Sequence, residues 1–170
     1  MTDIIDLEQY VIIALKMVYE KDYYLICYPA MKRYTKQHVG ERAIVFRFAH
    51  YLQNLLDKDA GFKSLDLDCE YNRNGEEPKK LHPFDNGTYP DVILHKRGSN
   101  DKNTLVAEFK GYWNNHQERD IDKLCEFTKR NEYNFDLGIA VLLGKELYKT
   151  KITIIQDGSI VREYSIGGLA

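Results

Sequence analysis

The sequence predicts an α/β protein in which helices and strands follow one another along the chain. Two observations carry this prediction: apolar residues recur at helical spacing in three segments, and alternating or continuously apolar stretches lie between and after them. A third is the Asp157-Gly158 dipeptide near the C-terminus, a strong sequence signal for a β-hairpin. A chain of 170 residues can bury one hydrophobic core, and we expect a single domain spanning 1–170.

Three helices are predicted from the spacing of their apolar side chains. The first spans Asp3–Lys21 (3–21), the second Val39–Leu56 and the third Arg119–Arg130. The second is the best defined, because its apolar residues form a continuous face. The apolar faces consist of Ile44, Val45, Phe48, Leu52, Leu55 and Leu56 in the second helix and of Ile121, Leu124, Cys125 and Thr128 in the third.

Strands are predicted between and after these helices. Leu65–Asn72 alternates between apolar and polar residues, which is typical of a half-buried strand. Tyr89–Lys96 and Asn103–Lys110 flank the turn signal Gly98–Asp101. Leu137–Leu143 is continuously apolar, as in a central strand buried on both faces.

The remaining segments complete this order. Lys151–Gln156 and Ser159–Tyr164 flank Asp157-Gly158 and predict a C-terminal hairpin within 151–165. Tyr23–Tyr28 is aromatic and is either a short strand or the end of the first helix. Arg73–Thr88 contains two glycines and two prolines, and predicts a long polar loop of a length that is usually functional or mobile.

Composition excludes several classes of protein. The 24 basic and 26 acidic residues give a net charge of −2, which excludes a histone-like polyanion binder but leaves a local basic groove open. No apolar run approaches the ~18–20 residues of a membrane span, and the N-terminus does not resemble a signal peptide. Cys27, Cys69 and Cys125 are far apart, which is typical of reduced thiols. We therefore expect a cytoplasmic protein.

The turn signal fixes a register between two strands. With Gly98–Asp101 at the tip, Asp91 lies opposite Glu108. Lys110 is two residues beyond Glu108 and points to the same side by strand alternation. The same register pairs Val92 with Ala107, Leu94 with Leu105, Ile93 with Val106 and His95 with Thr104.

Two carboxylates that face each other repel, and a cation, a shared proton or solvent is needed to reduce that repulsion. A divalent metal is a simple solution, because Mg²⁺ is commonly held by one or two carboxylates plus substrate phosphate. Glu41 adds a third acid on the same helix face as Ile44 and Phe48. Such a carboxylate needs either a partner or the favourable field of the helix N-terminus, and the residues alone leave both explanations open.

These residues resemble the PD-(D/E)XK nuclease superfamily, whose members have the restriction-endonuclease-like fold. Pro90-Asp91 is followed by 16 intervening residues and then by Glu108-Phe109-Lys110. A glutamate-bearing helix at Gly40-Glu41-Arg42, three strands, a helix and a fourth strand are similar to the family's αβββαβ core, which has a mixed sheet. The resemblance covers residues 38–144 and leaves 3–21 and 151–165 outside it. Within this region, the sequences of 68–73, 89–98 and 122–124 are similar to those of uncharacterised bacterial members of the superfamily.

The resemblance implies a Mg²⁺-dependent nuclease that hydrolyses DNA phosphodiester bonds. Asp91, Glu108, the Phe109 carbonyl and Glu41 would bind the metal, and Mn²⁺ is expected to substitute for Mg²⁺. Lys110 would position the attacking water and offset charge on the scissile phosphate, leaving a 5′-phosphate and a 3′-hydroxyl. DNA is the expected partner, no membrane partner is expected, and RNA and a homodimer stay open.

Other interpretations of single residues remain. Asp91 also fits a simple turn acid after a proline, and Glu108 with Lys110 fits a surface strand. Glu70 is either a further acid of the same site or part of an ordinary polar strand face. A second Glu-x-Lys, Glu77-Pro78-Lys79, has no preceding Pro-Asp.

Basic and aromatic side chains near these acids predict a nucleic-acid groove. The alternative to a nuclease is a catalytically inactive module of the same fold that binds nucleic acid or a protein partner. A third interpretation is an enzyme that acts on a substrate other than a nucleic acid. The predicted nucleic-acid contacts are Arg73, Lys79, Lys80, Lys96, Arg97, Tyr112 and Trp113.

Overall fold

The structure, a computed structural model, describes residues 2–27, 39–81, 88–114, 117–130 and 133–168. The helices are α1 (Thr2–Lys21), α2 (Tyr23–Ile26), α3 (Glu41–Leu56) and α4 (Glu118–Thr128), with two short 3₁₀ turns at Leu147–Lys149 and Ile166–Gly168. The strands are β1 (Asp66–Cys69), β2 (Arg73–Asn74), β3 (Glu77–Pro78), β4 (Val92–His95), β5 (Asn103–Lys110), β6 (Leu137–Leu142), β7 (Lys151–Gln156) and β8 (Ser159–Ser165).

Six strands form one sheet in the order β1-β4-β5-β6-β7-β8. β5 and β6 run parallel, and the other neighbouring pairs run antiparallel. α4 connects β5 to β6, because parallel neighbours need a crossover connection. β2 and β3 form a separate two-stranded hairpin. The prediction of an α/β protein with a mixed central sheet is confirmed.

Helices α1 and α3 cover one face of the sheet. Ile44, Phe48 and Leu52 of α3 are fully buried in the cluster that contains Val92 of β4. The Phe48 ring packs against Phe109 of β5, with 4.8 Å between ring centroids. The apolar face predicted for this helix is therefore the face that packs on the sheet.

Helix α4 covers the opposite face. Leu124 and Phe127 are fully buried there with side chains from four strands. Both faces of the central strands are thus covered, which explains the continuous apolar run in β6. The strand residues in this second cluster are Ile93, Val106, Ala140 and Ile155.

The predicted register between β4 and β5 is confirmed over three pairs and fails at the fourth. His95 lies opposite Asn103 instead of Thr104, because a bulge follows Leu94. The Asn103 side chain donates a hydrogen bond of 2.6 Å to the Tyr133 carbonyl, a long-range contact that favours the shifted pairing. The confirmed pairs are Val92–Ala107, Ile93–Val106 and Leu94–Leu105.

Two predicted strands are shorter than expected. The strand predicted over Leu65–Asn72 is reduced to β1, because Glu70 adopts a left-handed backbone conformation with φ of 51° and ends it. The strand predicted over Tyr89–Lys96 begins only at Val92. Pro90, which has no N–H to donate, precedes that start.

Two other segments carry structure that differs from the prediction. Arg73–Thr88 is not a continuous loop, because β2 and β3 pair across a turn at Gly75, and residues 82–87 lie outside the described residues. The aromatic stretch after α1 is helical in α2, with Ile26 buried in the core, so the strand alternative is wrong. Tyr28 lies outside the described residues.

Within the described ranges, no helix is both long enough and apolar enough to cross a membrane.

Candidate active site

Asp91 and Glu108 meet where β4 begins and β5 ends. Asp91 lies one residue before β4, and the pairing of Val92 with Ala107 places it beside Glu108. Its Oδ2 accepts a hydrogen bond of 2.7 Å from the Phe109 backbone N–H. The Asp91 carboxylate is therefore held against β5.

Glu108 is a buried acid, with only 4% of its surface exposed. Burial raises the pKa of Glu108 to about 8; the negative charge of Asp91 adds to this shift and Lys123 opposes it. Burial also raises the pKa of Asp91, although the Phe109 N–H and Lys110 partly oppose that shift. Glu108 is therefore mostly protonated at neutral pH unless a cation joins it.

Helix α4 brings a further acid and a lysine to this pair. Asp120 is 3% exposed. The Lys123 ammonium lies 3.4 Å from Glu108 Oε1 and 3.3 Å from Asp120 Oδ1. Asp120 Oδ2 lies 3.1 Å from Lys110 Nζ. The crossover helix therefore closes one side of the cluster.

Asp120 was not predicted from the sequence, although a signal for it exists. It precedes the buried residues Leu124, Phe127 and Thr128 at helical spacing, so it lies on the core-facing stripe of α4. Asp120 thus shares with Glu41 the signal of a carboxylate on the apolar face of a helix.

Lys110 lies among three carboxylates. Burial lowers its pKa, but contact with Asp120 and the charges of Glu41 and Asp91 outweigh burial, so the pKa is raised overall. Lys110 is therefore an ammonium ion at neutral pH. It can orient a water molecule or stabilise negative charge, but it cannot remove a proton from water.

Glu41 reaches the same cluster from the other side of the sheet. It lies in the first turn of α3, and its Oε1 accepts a hydrogen bond of 3.0 Å from the Gly111 N–H. Its Oε2 lies 3.9 Å from Lys110 Nζ. Glu41 thus has tertiary partners in addition to the favourable field of the helix N-terminus.

The charges in this cluster do not balance. Four carboxylates face two ammonium groups, which leaves an excess of two negative charges when every group is ionised. Asp120 Oδ2 is buried and accepts no hydrogen bond of good geometry, although Lys110 is its ionic neighbour. The cluster consists of Glu41, Asp91, Glu108, Asp120, Lys110 and Lys123.

The donor set fits a hard divalent cation, because it consists of carboxylate oxygens with excess negative charge. Among the described residues, however, no three His, Cys, Asp or Glu side chains are already gathered at metal-binding distance. The lysines Lys110 and Lys123 hold the carboxylates in this arrangement instead.

Glu70 is a neighbour of Asp91 through the backbone. Its N–H donates a hydrogen bond of 3.3 Å to the Asp91 carbonyl. Its carboxylate forms an ion pair with Arg42, with 2.6 Å between Oε1 and Nε. Glu70 therefore lies next to the cluster, with its charge directed to an arginine of α3.

The predicted nucleic-acid-binding cations lie mainly around the other end of β4. Arg97 binds Asp68, with 2.5 Å between Nη2 and Oδ1, and also approaches Asp66. Lys79 is 1% exposed, so it is part of the interior and not of the surface. Arg73, Lys80 and Lys96 are exposed.

The two aromatic residues predicted beside Lys110 pack inward. The rings of Tyr112 and Trp113 are in edge-to-face contact, with 4.9 Å between centroids, and both pack against the core beneath α1 and α3. A Cβ atom on Gly111 would lie 2.2 Å from the Trp113 ring, so only glycine fits at this close approach. Trp113 thereby lies beside the backbone that anchors Glu41.

No protein-family model matches this chain, and no curated protein matches it. One solved structure is similar at a low level: a chain of the cryo-EM structure of a DrdV–DNA complex. The two share 15% sequence identity with a TM-score of 0.42, over 95% of this chain and 87% of that chain. A likeness of this strength assigns no family.

Proposed function

We propose that the protein is a metal-dependent nuclease with a restriction-endonuclease-like core, and that it hydrolyses phosphodiester bonds of DNA. The observation that carries this proposal is the cluster of Asp91, Glu108 and Lys110 at one end of adjacent strands, joined by Glu41 and Asp120 from two helices. The order α3, β1, β4, β5, α4, β6 is compatible with the αβββαβ core that the Asp91–Lys110 motif implies.

Mg²⁺ would be held by Asp91, Glu108, the Phe109 carbonyl and Glu41. Mn²⁺ is expected to substitute, because the same oxygen ligands suit both ions. The metal supplies Lewis-acid polarisation of the phosphate and a more acidic water. Two or three protein oxygens suffice, since Mg²⁺ usually keeps several waters. Burial and the charge of Asp91 raise the pKa of Glu108 because both disfavour its ionised form. A cation bound beside Glu108 would stabilise that ionised form, which supports a cation at this position.

The chain's own residues supply position and charge. In the hydrolysis, a water oxygen bonds to phosphorus, the P–O3′ bond breaks and the 3′ oxygen takes up a proton. The Lys110 ammonium stabilises the charge that develops on the phosphate oxygens. Asp120 keeps that ammonium charged and directed to the cluster, so it acts as a positioning residue.

A cleavage assay tests the proposal. Supercoiled plasmid, single-stranded DNA and RNA are incubated with the protein in Mg²⁺, in Mn²⁺ and in EDTA. Lys110→Ala is compared with Lys63→Ala, a matched control at an exposed lysine after α3. We expect metal-dependent cleavage of DNA by the wild type and the control and its loss in Lys110→Ala. Cleavage by Lys110→Ala at the wild-type rate would contradict the proposed site.

The alternative is a catalytically inactive module that binds nucleic acid or a protein partner. One observation favours it: Lys123 and Lys110 already occupy the carboxylates, and no three-acid group is assembled within the described residues. Retention of DNA in EDTA, with no cleavage by any of the three proteins, would select this alternative. Light scattering on the same preparations measures whether the protein is a dimer, as an enzyme that cuts both strands could require.

A further inference from the structure

The ammonium group of Lys123 lies between two carboxylates of the acidic cluster. It is 3.4 Å from Glu108 Oε1 and 3.3 Å from Asp120 Oδ1. Hydrogen bonds of full strength between an ammonium group and a carboxylate are about 2.7–2.9 Å long. Lys123 is therefore shared between the two acids and is held tightly by neither.

Helix α4 fixes the backbone of Lys123 but leaves its side chain room to move. The neighbouring Leu124 is fully buried against the sheet and anchors the helix. The Lys123 side chain is 19% exposed, so part of it meets solvent. Asp120 is three residues earlier on the same helix, and residues at this spacing lie on one helix face. The ammonium group can therefore leave Glu108 and keep Asp120 as its partner.

Glu108 and Asp120 differ in their other contacts. Asp120 Oδ2 lies 3.1 Å from Lys110 Nζ, so each oxygen of this carboxylate has a lysine beside it. Within the described part of the chain, the cation that contacts Glu108 is Lys123. Glu108 is also one of the proposed Mg²⁺ ligands, whereas Asp120 is not. An ion that binds Glu108 therefore meets Lys123 there, and Asp120 is the acid that can retain both lysines.

The charge of the cluster leaves room for a divalent ion. Its four carboxylates and two ammonium groups carry an excess of two negative charges when all are ionised, which one divalent ion balances with both lysines still present. An ammonium group and a divalent ion on the same carboxylate repel each other. Even with the screening of bulk water, a unit charge about 5 Å from the ion weakens its binding roughly tenfold. Lys123 and the ion therefore compete for Glu108.

We propose that Lys123 is a built-in cation of the proposed metal site, which contacts Glu108 in the metal-free protein, releases it when Mg²⁺ binds and stays on Asp120. The inference rests on the proposed function, since that function supplies the metal. Lys123 is thus a positioning residue that sets the metal affinity of the site. It keeps the site from holding an ion tightly, so the occupancy of the site depends on the Mg²⁺ concentration.

Calorimetric titration with Mg²⁺ tests this role in wild type, Lys123→Met, Lys123→Arg and Lys129→Met. Lys129 is the matched control, a half-exposed lysine at the end of α4 that pairs with Glu126 outside the cluster. We expect Lys123→Met to bind Mg²⁺ roughly tenfold more tightly than wild type. Lys123→Arg keeps the charge and should bind no more tightly than wild type, and Lys129→Met should bind like wild type.

The sign of the change separates competition from a merely structural role. If Lys123 only held the ligands in place, its removal would disorder them and weaken Mg²⁺ binding. An affinity of Lys123→Met equal to or below that of Lys129→Met would overturn the proposal, and so would the absence of Mg²⁺ binding by all four proteins.

A labelling experiment on the wild type needs no substitution, so it decides the question even where Lys123→Met does not fold. Lysine amines are acetylated briefly in EDTA and in excess Mg²⁺, and mass spectrometry reads the extent of modification at each lysine. We expect Mg²⁺ to increase the acetylation of Lys123, because its amine loses one partner, and to leave that of Lys129 unchanged. Equal or lower acetylation of Lys123 in Mg²⁺ would overturn the proposal.

Cleavage of supercoiled plasmid by the same proteins separates this inference from the proposed function. Metal-dependent cleavage by wild type, with a Mg²⁺ affinity that does not depend on Lys123, would refute the role of Lys123 only. Tighter Mg²⁺ binding by Lys123→Met, with no cleavage by any of the proteins, would refute the nuclease function and leave Lys123 as the residue that controls the metal site.

Discussion

Replacing Glu108 by glutamine should stabilise the metal-free protein, and the gain should grow with pH. The amide keeps nearly the shape of the carboxyl group and still offers an acceptor to Lys123. It cannot ionise, however, so the variant avoids the free-energy cost of charging a buried group beside Asp91.

The size of the effect follows from the pKa of Glu108 in the two states. The unfolded chain ionises near the ordinary value of 4.5 and the folded chain near about 8. Between these values the unfolded state has lost a proton that the folded state retains, so rising pH favours unfolding by about 1.4 kcal/mol per pH unit. The interval of roughly 3.5 units sets an upper bound of about 5 kcal/mol, reached near pH 8.

Urea denaturation in EDTA between about pH 5 and about pH 9 measures this difference. The matched control is Glu77→Gln, at the exposed glutamate of the second Glu-x-Lys sequence, where the change should have little effect at any pH. A difference in the free energy of unfolding between wild type and Glu108→Gln that stays constant with pH would refute the reasoning. So would a difference that favours wild type near pH 8.

Three further predictions concern the proposed activity and metal. Lys110→Ala should lower the cleavage rate about 10²–10³-fold, because it removes a positioned cation, and filter binding should show that DNA is still retained. The same variant loses the contacts of Lys110 with Asp120 and Glu41, so a urea titration should show a free energy of unfolding lower by about 1–3 kcal/mol. Glu41→Gln should weaken Mg²⁺ binding in calorimetry without unfolding the protein, and an unchanged affinity would leave Glu41 as a structural residue at the start of α3. Mg²⁺ affinity should rise about tenfold per pH unit up to about pH 8, because Mg²⁺ binding must release the proton of Glu108. Calorimetry in buffers of different ionisation enthalpy should detect that released proton. A Mg²⁺ affinity that does not change with pH would contradict this prediction.

The register of β4 and β5 could be predicted because apolar matching on the sheet faces leaves one good alignment. Asp91 and Glu108 are brought together by that alignment alone, and alternation places Lys110 on their side. The shift at His95 could not be predicted, since it accompanies a side-chain contact between Asn103 and a residue about 30 positions away in sequence. A bulge of this kind has no local sequence signal here.

The contributions of α4 and of the β2–β3 hairpin depend on tertiary packing. Asp120 and Lys123 join the cluster only because the crossover between β5 and β6 places α4 on the face of Glu108. Lys79 looks like a surface cation in sequence, but the rings of Tyr71 and Tyr133 enclose it. Tyr133 is 54 positions later in the chain, beyond the reach of any local pattern.

The lysine partners of the acidic cluster determine whether the protein can fold before a metal ion binds. In small zinc-binding domains the ligands lack other partners, and the chain stays unfolded until the ion arrives. Here Lys110 and Lys123 already offset part of the repulsion among the carboxylates. Folding therefore does not need an ion to hold these carboxylates together, and under the proposed function the ion would enter a folded protein. Under the proposed function, a chelator would switch the enzyme off reversibly instead of denaturing it.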